Sequence, residues 1–183
     1  MKIFKEVILT ILAFSLYISS AQAACDFIIN IGDKKTKLVE KIAEPMPTFP
    51  GQFMLPVPST ELCPNDNLDM DIAVEYIFLE DNLAAIRMVV LNDGKNTISE
   101  KLTLMNYAKK VYGDFDTGQN PKIYNNFNVW KKSQNIVIYK RLLDPEDMIE
   151  EEIFITNKKY DEKLGEFYYN LEINESKEDE NTN

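Results

Sequence analysis

Asp71-Ile-Ala-Val-Glu-Tyr-Ile-Phe-Leu79 and Leu83-Ala-Ala-Ile-Arg-Met-Val-Val-Leu91 are two apolar runs separated by Glu80-Asp81-Asn82. β-Branched and aromatic side chains dominate both, and a short polar break divides them, so the stretch predicts a β-hairpin. Arg87 stands inside the second run between Ile86 and Met88. An arginine there points to the solvated face of the sheet, the alternative being a buried pair with Glu75 on the facing strand.

Downstream, Asn92-Asp93-Gly94 reads as a turn and Thr97-x-x-Glu100 as a capping box. The box opens a helix in which Leu102, Met105, Ala108, Val111 and Tyr112 recur at helical spacing, with Gly113 closing it. Asp114 to Asn126 is a polar loop. Phe127–Trp130 and Ile136–Tyr139 form a second hairpin across Lys132-Ser133-Gln134-Asn135. After a turn at Asp144-Pro145-Glu146-Asp147 comes a strand from Glu151 to Thr156. Asn157 then caps a last helix carrying Tyr160, Leu164, Phe167, Tyr168 and Leu171. The acidic tail, 173–183, lacks apolar residues after Ile173 and is expected to be disordered.

Upstream, Asp26 to Ile31 predicts a short strand broken by Gly32-Asp33. Asp33 would cap a helix from Lys34 to Ala43, with Leu38, Val39 and Ile42 on one side and Pro45 ending it. Residues 31–45, Ile-Gly-Asp-x-x-x-x-Leu-Val-x-x-Ile-x-x-Pro, resemble the helix opening of BamE/SmpA-type small envelope domains. The resemblance covers about 15 residues, and Ala43 stands where that family has a glycine. Glu44 to Asn67 holds six of the eight prolines, which predicts neither helix nor central strand. Phe49, Phe53, Met54 and Leu55 lie between them. An ordered loop over 45–62, covering the core or forming a partner-binding surface with those four residues, is the expectation.

The order βα, loop, ββα, ββ, βα implies an α+β fold with a mainly antiparallel sheet of hairpins and about three helices packed on one face. One domain over 24–172 suffices for a chain of this length, the alternative being successive lobes at 25–94 and 95–172.

Met1 to Ala23 reads as a signal peptide. Lys2 and Lys5 form the basic start, Val7–Ile18 is too short to span a bilayer, and Ala21-x-Ala23 offers small residues at a cleavage site. The competing readings are an uncleaved anchor and a lipid-modified Cys25. A lipobox wants an aliphatic residue where Gln22 stands. Cleavage would remove two cations and one anion, taking the formal charge from −10 to −11. Cys25 and Cys63 are the two cysteines, and an even pair in an exported chain predicts a disulfide. Abundant Lys, Asn and Ile with few glycines suit an AT-rich bacterial genome, hence a periplasmic or secreted protein.

The chain of 183 residues contains no histidine. That removes Ser-His and Cys-His nucleophile pairs and His-ligated metals. The acidic balance, with a pI of 4.6, disfavours nucleic acid and anionic membranes as partners. Asp114-x-Asp116-x-Gly118 looks like the start of a calcium loop, but the position for the bidentate glutamate is Asn125, so Asp114 and Asp116 are weak metal candidates beside the plainer reading of a turn. Asp66, Asp69 and Asp71 form a second oxygen-rich patch, and Glu150-Glu151-Glu152 is a charge run with no distant carboxylate assigned opposite it. Asn174-Glu-Ser176 matches a glycosylation sequon that has no meaning in a bacterium.

No catalytic residue and no cofactor are assigned. The expectation is an exported, non-enzymatic module that binds an envelope protein. The alternatives are a small-ligand or Ca²⁺-binding protein and, more remotely, a carboxylate-based hydrolase. Intact mass of the product purified from an exporting host should show loss of residues 1–23 and two hydrogens fewer than the reduced chain. A retained leader, free thiols or an acyl adduct would refute this.

Overall fold

Successive residues of a strand face opposite sides, so runs such as Ile72–Leu79 can be buried on both faces only at the centre of a sheet. The computed structural model describes residues 24–66, 68, 71–91, 102–132, 134–143 and 149–181. The strands are β1 (Met46–Phe49), β2 (Gln52–Pro58), β3 (Ile72–Leu79), β4 (Asn82–Val90), β5 (Asn126–Lys132), β6 (Asn135–Leu143) and β7 (Ile149–Thr156). They form one antiparallel sheet in the order β1-β2-β3-β4-β7-β6-β5. The described helices are α1 (Thr36–Val39), α2 (Ser59–Leu62), α3 (Thr103–Tyr112) and α4 (Lys158–Asn181). The fold is therefore α+β, dominated by sheet, and both halves of the chain contribute strands to it.

Both hairpins form as their apolar runs predict, at 72–90 and 126–143. The chain crosses from β4 to the far edge, and β5, β6 and β7 step back until Ile86–Val89 of β4 pairs with Glu152–Ile155 of β7. On one face Val74, Tyr76, Met88, Tyr139, Trp130 and Ile153 build the main core. Leu38 of α1, Leu62 of α2, and Leu104 and Met105 of α3 close over it. The last helix, α4, lies on the opposite face, where Tyr160 and Leu164 pack on Ile77, Ala84 and Ala85. Of the three helices expected on one face, the first two share the main core and the third does not.

The proline-rich segment departs from expectation. Pro50-Gly51 is a two-residue turn with Gly51 at φ +85°, and it joins β1 to β2. β2 then pairs with β3 along its whole length, so the segment is a hairpin inside the sheet. The reason prolines are tolerated is parity. Pro56 and Pro58 direct their missing donors to the same side of the strand, and β1 stops pairing at Met54, leaving that side without a neighbour.

The amino-terminal stretch also differs. Asp26–Ile31 is a strap of bends. Asp26 Oδ1 accepts from the Ile28 amide at 3.0 Å, and Ile28 takes φ +62°, which ends any extended run. The Cys25–Cys63 disulfide and Asp26 N–H donating to Leu62 C=O at 2.8 Å hold the strap down. Asp33 does not cap a helix. It accepts from the Asn30 amide and from Lys37 Nζ, and Lys35 is the N-cap of the short α1. α4 continues past Ile173 to Asn181, where the absence of apolar residues predicts a disordered tail. Asn157 caps it, its Oδ1 accepting from the Tyr160 amide at 3.1 Å. The leader, the turns at 92–94 and 144–147, Thr97, Glu100 and Asp69 lie outside the described residues.

The segment 116–119 seals the β5 edge. Thr117 bridges Val129, and Asp116 Oδ2 accepts from the Lys131 amide at 2.6 Å. Gly118 sits at φ +136°, where a Cβ would press on Asn128 Nδ2 and come within 2.9 Å of the Phe127 carbonyl oxygen. Gly118→Ala should therefore cost about 2–5 kcal/mol, adding overpacking to backbone strain. Gly51→Ala meets nothing within 4 Å and should cost only the strain, about 1–3 kcal/mol. Chemical denaturation of the two variants checks the order.

Candidate functional site

β6 reads Ile136-Val137-Ile138-Tyr139, apolar on both faces, which is the pattern of a strand covered from both sides. Val137 and Tyr139 fill the main core. Ile136 and Ile138 face the other way, level with Lys131 and Val129 of β5. Ile138 is also level with Phe154 of β7. Phe127 joins this face through its register with Lys140, and it is 58% exposed. Val129, Ile136 and Ile138 belong to neither packed cluster. α4 covers β2 to β4 on this face, and Gln52 Nε2 donates to Tyr168 Oη at 2.8 Å to hold it there. Phe154 of β7 also packs against the α4 cluster, and among the described residues no helix covers β6 and β5 on this face.

An ionic row crosses the boundary between the covered and open halves. Arg87 Nε lies 2.6 Å from Glu75 Oε2, Arg87 Nη1 3.7 Å from Glu152 Oε2, and Lys140 Nζ 3.0 Å from Glu152 Oε1. Arg87 thus forms the pair that was the alternative reading, on the face α4 occupies. Burial opposes its charge, but the Glu75 hydrogen bond and the nearby Glu152 outweigh that and hold the guanidinium above its ordinary value. The acids are shielded and the cations protrude. Side-chain exposure is 10% and 14% for Glu75 and Glu152, against 36% and 38% for Arg87 and Lys140.

Strand parity splits the glutamate run. Glu150 is exposed, Glu152 joins the ionic row, and Glu151 points into the core. Its Oε1 accepts from the Met105 amide and from Tyr139 Oη, both at 3.0 Å, and the Leu104 amide also bonds to the carboxylate. The N-terminus of α3 is thus held by a strand residue 46 positions away. Burial raises the Glu151 pKa, and the amide bonds, Tyr139 and Arg141 pull against that rise without cancelling it. The capping box expected from the sequence, Thr97 and Glu100, lies outside the described residues, and Glu151 is the contact that the sequence reading did not find. The available signal was an odd-numbered acid in a strand whose odd positions, Ile153 and Ile155, are core.

The four aromatic and aliphatic residues proposed for a partner surface separate. Phe49 is exposed, Phe53 lies under Lys35 Nζ at 4.1 Å, Met54 packs toward α4, and Leu55 is buried. Met46, also exposed, shares the α4 face with Phe49, because a bulge at Thr48 brings both into register with Met54 and Gln52. Asp116 spends a carboxylate oxygen on the Lys131 amide, whereas Asp114 is open to solvent, 3.9 Å from Lys109 Nζ. Among the described residues no group of three acidic or thiol side chains could hold a metal ion.

Asp66 pairs with Lys110 at 2.6 Å beside a cavity of about 370 Å³ lined by Asn65, Thr103, Asn106 and Tyr107. Burial pushes the Tyr107 hydroxyl up to about 12, and its oxygen accepts from the Cys25 amide at 3.2 Å. That lining is mostly polar, unlike the apolar pockets that take small organic ligands. No family model, curated protein or solved structure matches the chain.

Removing the inward carboxylate tests the α3 anchor. Glu151→Ala should cost about 3–5 kcal/mol, because buried partners lose their acceptor. The raised pKa means that the native state binds the extra proton between the unfolded value of 4.5 and its own higher value. Stability from this group therefore falls as pH rises through that interval. Glu151→Gln should abolish that slope, which denaturation at a series of pH values will read.

Proposed function

We propose that this chain is an exported, non-enzymatic module that docks another protein on the open half of its sheet. The observation that carries the reading is the side-chain content of that half. Phe127, Val129, Ile136 and Ile138 lie on a face where a solvated antiparallel sheet carries mainly polar residues. An apolar patch of this kind, rimmed by charge, is the usual mark of an interaction surface.

Export to the periplasm fits the leader reading of residues 1–23 and agrees with the disulfide. The resemblance of residues 31–45 to BamE/SmpA-type domains points to the same compartment. Phe49, with its neighbour Met46, is a smaller secondary contact. The ligand and Ca²⁺ readings find less support, since the cavity beside Asp66 is polar and Asp116 is engaged by a backbone amide.

Neighbouring residues of β6 provide a control within one strand. Val137→Ser should cost about 2–4 kcal/mol. Ile138→Ser should change stability by no more than about 1 kcal/mol. Envelope extract passed over immobilised wild type should yield a partner that the Phe127→Ser/Ile138→Ser double variant loses. Identical captures by the two proteins, or none by the wild type, would overturn the reading.

A further inference from the structure

We infer that residues 25–31 are a lid latched by the Cys25–Cys63 disulfide. Reduction by a dithiol releases the lid and opens the cavity beside it, while the seven-stranded sheet stays folded. Nothing in this depends on the docking face proposed above.

Attachment is the first argument. The strap from Asp26 to Ile31 belongs to no strand or helix. Its local bonds, from the Ile28 amide to Asp26 Oδ1 and from the Asn30 amide to Asp33 Oδ2, shape it without fastening it. Its ties to other elements crowd one end. The Cys25 amide donates to Tyr107 Oη at 3.2 Å, the Asp26 amide to the Leu62 carbonyl at 2.8 Å, and Tyr76 Oη to the Phe27 carbonyl at 2.9 Å. The other end is held where the Gly32 amide donates to the Leu83 carbonyl at 2.8 Å. Gly32, at φ +94°, is the hinge.

The two halves of the latch are anchored unequally. Cys63 ends α2, its amide donating to the Ser59 carbonyl at 2.8 Å, and α2 follows β2, which pairs with β3 along its whole length. Cys63 therefore stays with the sheet. The bond ties a strap to a helix and joins no two strands, so its loss removes no ladder hydrogen bond. Ile28 adds a push from the strap itself. It sits at φ +62°, a region that β-branched residues rarely adopt, and the covalent tether opposes that strain.

Access is the second argument. The strap forms one wall of a cavity of about 350 Å³, which Ile86, Tyr112, Asn135 and Ile155 also line. Cys25 lines this cavity and Cys63 does not, so an incoming thiolate reaches the Cys25 sulfur first. Its attack breaks the S–S bond, forms a mixed disulfide on Cys25 and expels Cys63 as a thiolate that takes up a proton. The second thiolate of the dithiol then attacks the mixed disulfide and expels Cys25, which is protonated in turn. Two electrons and two protons pass to the protein, and the dithiol becomes a disulfide. Swinging the strap about Gly32 removes one wall of the cavity and uncovers Ile86 and Ile155, which are 3% and 4% exposed with the lid shut.

Hydrogen exchange read by mass spectrometry, with and without dithiothreitol in native buffer, tests the latch. Peptides covering 24–31 should exchange at least about ten-fold faster after reduction, while those from β3 and β4 stay within about two-fold. Pulsed iodoacetamide should label Cys25 at least about five-fold faster than Cys63 in the reduced protein. Cys25→Ser should reproduce the fast exchange of the strap without any reductant, and reoxidation of the wild type should restore slow exchange.

Loss of protection in β3 and β4 together with the strap would overturn the inference, because the disulfide would then hold the whole fold. Strap exchange unchanged by reduction or by Cys25→Ser would overturn it, as would labelling of Cys63 ahead of Cys25. A disulfide that dithiothreitol breaks only in denaturant would overturn it too.

Discussion

The Glu151 carboxylate ties the crossover helix to the strand that closes the sheet. The chain leaves β4 and reaches the opposite edge at β5, so some element must span the strands between them. α3 lies on the main-core face, with the Met105 amide and the Tyr139 hydroxyl converging on one oxygen of Glu151. Burying a carboxylate is costly unless it is hydrogen-bonded, and a helix N-terminus is among the better places to put one. Committing α3 to this face, together with α1 and α2, leaves α4 as the described helix of the other. One helix covers two or three strands, and the sheet has seven. The open half-face follows from that arithmetic.

The hairpins and the last helix were legible because their signals are local. Alternation or continuity of apolar residues between polar breaks is enough to place β3, β4, β5 and β6, and Asn157 is enough to start α4. Other features depend on partners distant in sequence. The cap on α3 comes from β7, and nothing near residue 103 announces it. The proline-rich segment is an intermediate case. Its density of prolines suggests a loop, yet Pro50-Gly51 is a turn signal in its own right, and the even spacing of Pro56 and Pro58 is compatible with a strand bonded on one side. Counting prolines hid what their parity showed.

The same distinction governs the candidate sites. Asp114-x-Asp116-x-Gly118 has the composition of a cation loop, but its residues serve the sheet. The Asp116 carboxylate satisfies an edge amide, and Gly118 permits the close approach that the seal requires. Phe49, Phe53, Met54 and Leu55 are close in sequence, but strand geometry sends them to different environments. The apolar face left without a described helix comes from β5 and β6, whose members Phe127 and Ile138 stand 11 positions apart in the chain. Its trace in the sequence is the run Ile136-Val137-Ile138-Tyr139, which demands cover on both sides.

Edge and face are treated in opposite ways, and that contrast bears on how a partner could approach. Long apolar strands invite pairing with other chains at their edges. Here one edge is sealed by a looped-back segment and the other is interrupted by prolines and a bulge at Thr48. Backbone-directed association is thereby suppressed on both sides. Among the described residues no helix lies over Phe127, Ile138 and Val129, and the Lys140–Glu152 pair stands beside them. If the face were a mere gap in packing, the cheapest remedy would be polar residues at these outward positions, which the core does not constrain. Apolar side chains at such positions run against the ordinary preference of a solvated sheet, and that is what supports reading the face as a contact surface.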